Sequence, residues 1–417
     1  MEKNKTPMNF GSMMIIIIIL IVMYLALENL LPFITEVIQE IEKSKTMNNT
    51  AAVSIQTHEQ QFILYEDQQK IKQSFPNNNF KGTIYFNIYG KKVLESDTSL
   101  DLSDVVIDAN LQKHLKMLPS LKEVNLYNQN LSKDEKIILQ QTFPNIKFQW
   151  LVDVLGEEVD CNIETLDLSR KQIPNIEDFK KSLILLTNLK KLDMSYTNLS
   201  NEELGNLREQ FPNTRIDWVV HLSKWSVRTD AVSFSVLVTQ YDYRRMTTED
   251  IQVLKYCTEL QALDLGHQAI QDISVLGEYL PNLRVLILAD NRIKDISPLA
   301  NMKHLHYLEL FMNDITDATP LAECKELVDL NISFNYRFSD INGILELPLL
   351  ERLWLVSDRI PAESYNLIRQ TYPNVKLVTT GSGSTESGWR THERYFAMID
   401  MYRKNYISDV FLKYDNK

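Results

Sequence analysis

The residues of this 417-residue chain that could move protons, bind metal or attack a substrate are seven histidines, three cysteines and 55 carboxylates. A zinc hydrolase sets two histidines four apart on a helix, around a glutamate. His392-Glu393 is followed at the required place by Phe396, so that motif is absent. His304 and His306 flank a strand start, where solvent-facing repeat positions are the simpler reading than a metal pair. Cys161, Cys257 and Cys324 are odd in number, far apart and without a CxxC pair, which excludes a zinc cluster and a disulfide framework. GSGSTESG, at 381–388, matches neither the GxSxG nucleophile turn nor a phosphate-binding loop. Carboxylates are plentiful, but repeat consensus alone places them, and Asp295, Asp314 and Asp317 read as turn caps. These residues assign no catalytic group, no metal ligand and no cofactor; an envelope hydrolase using scattered carboxylates is the weakest of the functional classes.

The elements that position these residues come next. A formal net charge of −11 argues against a nucleic-acid binder, which needs a basic footprint. Positions 13–27, MMIIIIILIVMYLAL, are unbroken apolar sequence inside a longer stretch without charge. About 20 apolar residues at 1.5 Å rise cross a hydrocarbon core of about 30 Å. Tyr24 and Ala26 make a poor cleavage site, so residues 8–34 are expected to be an uncleaved signal-anchor helix rather than a signal peptide. Lys3 and Lys5 precede it, while Glu28, Glu36, Glu40 and Glu42 follow. Positive charge stays inside, which places residues 1–7 in the cytoplasm and the rest outside. Residues 35–57 read as a polar stalk.

The body repeats. LQALDLGHQAI begins at Leu260, LRVLILADNRI at Leu283, LHYLELFMNDI at Leu305, LVDLNISFN at Leu327 and LERLWLVSDRI at Leu350, in steps of 23, 22, 22 and 23 residues. Leucines two apart make a short strand with one buried face. One such unit cannot hide its leucines alone, so successive units must stack. Asn291, Asn313 and Asn335 can bond backbone inside the turn after each strand. A longer unit lies upstream: LPSLKEVNLYNQNLS at Leu118 and LTNLKKLDMSYTNLS at Leu186 stand 68 apart. FPN recurs at Phe75, Phe143 and Phe211, with a YPN relative at Tyr372. Each follows a helix-like segment and precedes an apolar strand, a turn and, in the first two units, SLDLS or TLDLS. Residues 58–257 are therefore expected to be long helix-bearing repeats with hairpin insertions, and 258–380 short ones. Residues 381–388 form a Gly/Ser linker, and 389–417 a C-terminal amphipathic helix with Tyr395, Ile399, Tyr402, Tyr406 and Val410 on one stripe.

LxxLxLxxNxI followed by D-I-x-P-L resembles the 22-residue repeats of bacterial internalin-like leucine-rich repeat proteins. The resemblance covers about 120 residues. It implies an α/β solenoid: a curved parallel sheet with a helical or 3-10 convex side. The chain departs from surface internalins in lacking a C-terminal sorting motif. The long units are similar to the ribonuclease-inhibitor type of repeat.

Residues between the leucines would point out of the concave sheet. Ile287, Tyr307, Glu309, Phe311, Asn331, Arg352 and Trp354 are the candidate partner-binding residues, with aromatic and apolar anchors beside polar ones. The expectation is a non-catalytic, membrane-anchored protein that binds a protein or cell-envelope partner through this face. The alternative is a scaffold that docks other membrane proteins through its C-terminal helix. That helix has three readings: a cap on the last repeat, a partner-binding element or a membrane-surface helix. It could also fold back over the concave patch.

Overall fold

The computed structural model describes residues 62–65, 69, 83–236, 245–356 and 359–415. The expected signal-anchor, the stalk and the FPN motif at Phe75 lie outside them. Among the described residues no helix is long and apolar enough to cross a membrane. The chain divides into two compact units, the first ending at Cys161 and the second starting at Asn162.

In the first unit β1 (Phe62–Leu64) pairs in parallel with β2 (Thr83–Ile88), which turns back into β3 (Lys91–Leu94). A three-stranded parallel sheet follows: β4 (Ser99–Asp101), β5 (Glu123–Asn125) and β6 (Lys147–Gln149). The helices α1 (Leu111–Lys116) and α2 (Lys133–Thr142) connect these strands. The hairpin of β7 (Leu151–Val154) and β8 (Glu157–Asp160) closes the unit. Both hairpins turn through two residues of positive φ, Tyr89-Gly90 and Leu155-Gly156, the mirror-image turn that matches strand twist.

The second unit repeats the plan. It runs β9 (Thr165–Asp167), α3 (Ile176–Leu185), β10 (Lys191–Asp193), α4 (Asn201–Gln210) and β11 (Arg215–Asp217). The hairpin β12 (Val219–Leu222) and β13 (Trp225–Arg228) follows. Helices α2 and α4 start on the same reciprocal cap, Ser132 with Glu135 and Ser200 with Glu203. Each ends at the phenylalanine of the FPN motif, whose backbone N–H closes the last helical turn.

The short repeats then build a seven-stranded parallel sheet in sequence order: β14 (Ser233–Ser235), β15 (Ala262–Asp264), β16 (Val285–Ile287), β17 (Tyr307–Glu309), β18 (Asp329–Asn331), β19 (Arg352–Trp354) and β20 (Lys376–Val378). Leu263, Leu286, Leu308, Leu330 and Leu353 stand in register as one fully buried ladder. Opposite the sheet lie α5 (Ser274–Tyr279) and 3-10 turns at Ser297–Asn301, Thr319–Glu323 and Ile344–Glu346. Asparagines knit the turns together. Asn313 donates to the carbonyls of Leu288 and Leu310 at 2.9 and 3.0 Å and accepts the Ile293 N–H at 3.0 Å. Asn291 and Asn335 repeat these bonds one turn before and after. The last repeat carries α6 (Ala362–Thr371), ended by Tyr372 of the YPN motif as α2 and α4 are by phenylalanine.

The C-terminal region departs from one continuous amphipathic helix. α7 (Glu393–Lys404) stops at Asn405, whose φ of 54° is left-handed, and the short α8 (Asp409–Leu412) runs on from there. The break takes Tyr406 off the expected stripe and leaves it exposed, while Phe411 is turned fully inward. The 381–388 stretch is not a free joint either, because Asn331 and Trp354 donate to the backbone carbonyls of Ser384 and Glu386 at 2.7 and 2.9 Å.

Candidate functional site: a covered sheet face and an open cleft

The seven residues singled out from the repeat pattern do share the sheet face opposite the leucine ladder, but they do not face solvent. Ile287, Tyr307, Glu309, Phe311, Asn331, Arg352 and Trp354 are all between 0 and 4% exposed. The expected exposure is corrected by residues 389–415, which lie across β14 to β19. Of the alternatives for this segment, the structure shows it folded back over the concave patch rather than capping the last repeat, a position taken by α6 and β20.

The cover is anchored at each end and in the middle. Trp389 is completely buried, with its ring centroid 4.9 Å from that of Trp354 and 5.3 Å from that of Tyr307. Its Nε1 donates to Glu309 Oε1 at 2.6 Å, and the Arg352 guanidinium lies 4.6 Å from its ring. Such contacts add to the stabilisation from apolar burial. Met398 and Met401 from α7 and Phe411 from α8 fill the same apolar cluster, which includes Val285, Ile287, Phe311 and Val356. At the far end Asn405 Oδ1 accepts the N–H groups of Val232 and Ser233, and the Ser233 hydroxyl donates to Met401 O. The central anchor is ionic. Asp329, fully buried, receives two bonds from Arg352 at 2.6 and 2.7 Å and two from Arg394 of α7 at 2.7 Å. Arg394 also donates to Glu351 and to the Tyr414 hydroxyl, each at 2.7 Å. Bidentate forks of this kind combine strength with fixed geometry.

Burial shapes the acids beneath the cover. Loss of water pushes Asp264 up to about 6, although it accepts bonds from Gly266 N–H and the Ser235 hydroxyl. Burial likewise raises Glu309, against the bonds from Tyr307 and Trp389. Burial and the adjacent Glu309 carboxylate hold the Tyr307 hydroxyl well above its usual range. The buried thiols of Cys257 and Cys324 are pushed up to about 12, and Cys161 is raised by burial too, so all three behave as apolar side chains rather than nucleophiles.

A second part of the same face is open. A cleft of about 470 Å³ lies over β9, β10 and β11. Its walls carry Asp167, Asp193, Asp217, Asp230 and Glu259 against Lys191, Arg215 and Arg228. Arg228 bridges Asp193 and Asp230, both at 2.8 Å, and Arg215 pairs with Asp217 at 2.8 Å. The cleft lies outside the short repeats beyond residue 258, and its sequence signal is the charged pair flanking Leu192 and Ile216, with Asp167 after Leu166.

His304 and His306 also differ from expectation. His306 is fully buried rather than solvent-facing, and both rings converge on Glu326 Oε2 at 3.1 Å. With Asp415 from the cover, His304 and Glu326 place three possible metal-ligand atoms within 4.8 Å of one another.

The leucine-rich repeat family (Leucine Rich repeats, 2 copies) matches residues 281–323. Among curated proteins none matches the sequence. The chain is similar to the crystal structure of internalin C2 from Listeria monocytogenes, at 24% identity and a TM-score of 0.31 over 55% of this chain and 87% of that one. It is also similar to internalin F from the same organism, at 19% and 0.33 over 79% and 94%. A leucine-rich repeat protein of Leptospira interrogans is similar at 18% and 0.32, over 64% and 74%.

Proposed function

We propose that this leucine-rich repeat chain is a non-catalytic, membrane-anchored recognition protein. It binds a protein or cell-envelope partner on its concave face, and the cover formed by residues 389–415 occupies the aromatic half of that face until a partner displaces it. The observation that supports the reading is that Ile287, Tyr307, Glu309, Phe311, Asn331, Arg352 and Trp354 lie on one sheet face buried beneath a helical segment of their own chain. A preordered face loses little entropy when it exchanges one ligand for another. The charged cleft over β9 to β11 is the uncovered part of the face, where a partner first gains contact. The apolar stretch at 13–27 supplies the anchor, with the amino terminus inside and the repeats outside.

The test compares capture of a partner from envelope extract by the wild-type chain, by a variant with a loosened cover (Asp329→Asn) and by a charge-reversed cleft (Arg215→Glu with Lys191→Glu). The loosened cover should raise capture, and the reversed cleft should lower it. Equal capture by all three would refute binding on this face. A second reading, a scaffold that docks through its C-terminal helix, is favoured by Phe396, which stands 60% exposed on the outer side of α7. Loss of capture on Phe396→Ser alone would select it. The non-catalytic reading is supported by the enclosure of Asp264 and Glu309, the two carboxyls that burial raises among the described residues.

A further inference from the structure

The 22-residue step stacks equivalent positions of successive repeats, and His304 and Glu326 are one such pair. Stacking brings His304 Nδ1 to 3.1 Å from Glu326 Oε2. The cover then adds Asp415, so that three potential ligand atoms converge within 4.8 Å. In tetrahedral zinc sites, metal–ligand distances of about 2.0–2.1 Å set neighbouring ligand atoms roughly 3.3 Å apart. The His304–Glu326 separation matches that of a loaded site, and binding would draw Asp415 in from at most 4.8 Å. One imidazole and two carboxylates with a fourth position open is a ligand set that suits zinc.

The surrounding groups fit this arrangement. His306 is fully buried beside the cluster. Its Nε2 faces Glu326 Oε2 at 3.1 Å and Asp415 Oδ1 at 3.5 Å, while its buried Nδ1 has no hydrogen-bond partner. Its Nε2 thus faces both carboxylates, the place of an outer-shell group that orients metal ligands. Arg284 grips Asp415 with bonds of 2.5 and 3.0 Å and fixes that carboxylate toward the cluster. Two carboxylates face one arginine at this locus.

We propose that His304, Glu326 and Asp415 form a binding site for a divalent cation of the zinc class, with His306 as its orienting group. Two ligands belong to the repeats and the third to the cover, so the site is complete only when the cover is closed. Binding and closure are therefore linked. At a free metal concentration 100 times the dissociation constant, opening of the cover is suppressed about 100-fold.

The experiment uses the full chain stripped with a chelator. Zinc is titrated calorimetrically, cobalt(II) is added as a spectroscopic probe, and hydrogen exchange is followed over α7 and α8. The proposal expects one saturable zinc site that is lost in both His304→Gln and Asp415→Asn. It expects tetrahedral cobalt absorption in the wild type only, and slowed exchange of residues 393–412 on zinc addition. Asp415→Asn also weakens the Arg284 ion pair. His304→Gln leaves that pair in place, so its metal-free exchange should equal that of the wild type, which separates loss of the metal from loss of the cover. Saturable uptake unchanged by His304→Gln, or absent from the wild type, would overturn the site. Uptake that leaves exchange in α7 and α8 unaltered would overturn the link to the cover.

Discussion

Replacing Asp329 by asparagine removes one negative charge and almost no volume from β18, on the covered face of the seven-stranded sheet. In the closed state this carboxylate is fully buried between Arg352 and Arg394, whose side chains are 5 and 3% exposed. Without it two guanidinium groups face each other in a dry site, and Arg394 keeps an ion pair with the half-exposed Glu351. Breaking a buried ion pair by neutralising one partner costs about 3–5 kcal/mol. Opening the cover gives both arginines back to water, so that cost falls on the closed state, and opening should become about 100-fold to a few thousand-fold more frequent. The cover should still be mostly closed. Trp389, Met398, Met401 and Phe411 are each at most 1% exposed, and burial of such side chains contributes about 1.5–3 kcal/mol apiece, more in total than the lost pair. Hydrogen exchange read by mass spectrometry would show α7 amides exchanging faster by that factor, with strands β15 to β18 unchanged. Unchanged exchange in α7 would mean that apolar contact alone sets the closing equilibrium. Equal acceleration in the cover and the strands would mean that residues 389–415 are an inseparable part of the core. Either result would refute the idea of a displaceable cover.

Other outcomes follow from the same contacts. Trp354→Ala should lower stability by about 3–5 kcal/mol, because the ring is completely buried; an unchanged denaturation midpoint would restore the exposed position expected from the repeat pattern. Asn313→Ala strips the buried Ile293 N–H of its acceptor, while the carbonyls of Leu288 and Leu310 keep Asn291 and Asn335 as donors; it should cost about 1–3 kcal/mol in urea denaturation, while the exposed Asn301→Ala changes little. Asp264 rises from 3.8 to about 6 on folding, so between those values the native state holds more protons than the unfolded one, and stability falls as pH rises through the window and levels off above it. The shift corresponds to roughly 3 kcal/mol. Asp264→Asn should flatten that slope and be the more stable protein at pH 7; an unchanged slope would assign the titration to another group, with Glu309 the first candidate. Protease added to intact cells should digest the repeats, and complete protection would reverse the proposed orientation.

The repeat positions show where sequence reading succeeds. Leu286, Leu308 and Leu330 recur every 22 residues with leucine or isoleucine two places on, and a period of two joined to a period of 22 has one economical solution, stacked parallel strands. The asparagine ladder was equally legible, since an amide side chain in a tight turn meets backbone groups only a few residues or one repeat away. Even the face of the candidate residues was readable, because side chains alternate across a strand whatever the strand packs against. What covers that face was not. Burial of Trp354 and Tyr307 depends on Trp389, Met401 and Phe411, which carry no repeat signal, and Phe411 follows a break in the helix at Asn405. The clamp on Asp329 joins Arg352 and Arg394, and His304 meets Asp415, across separations that no local pattern encodes. Local periodicity is set by backbone geometry and leaves its mark on neighbouring residues; the choice between solvent and a distant segment is made by the free energy of the whole chain, which only the assembled tertiary structure expresses.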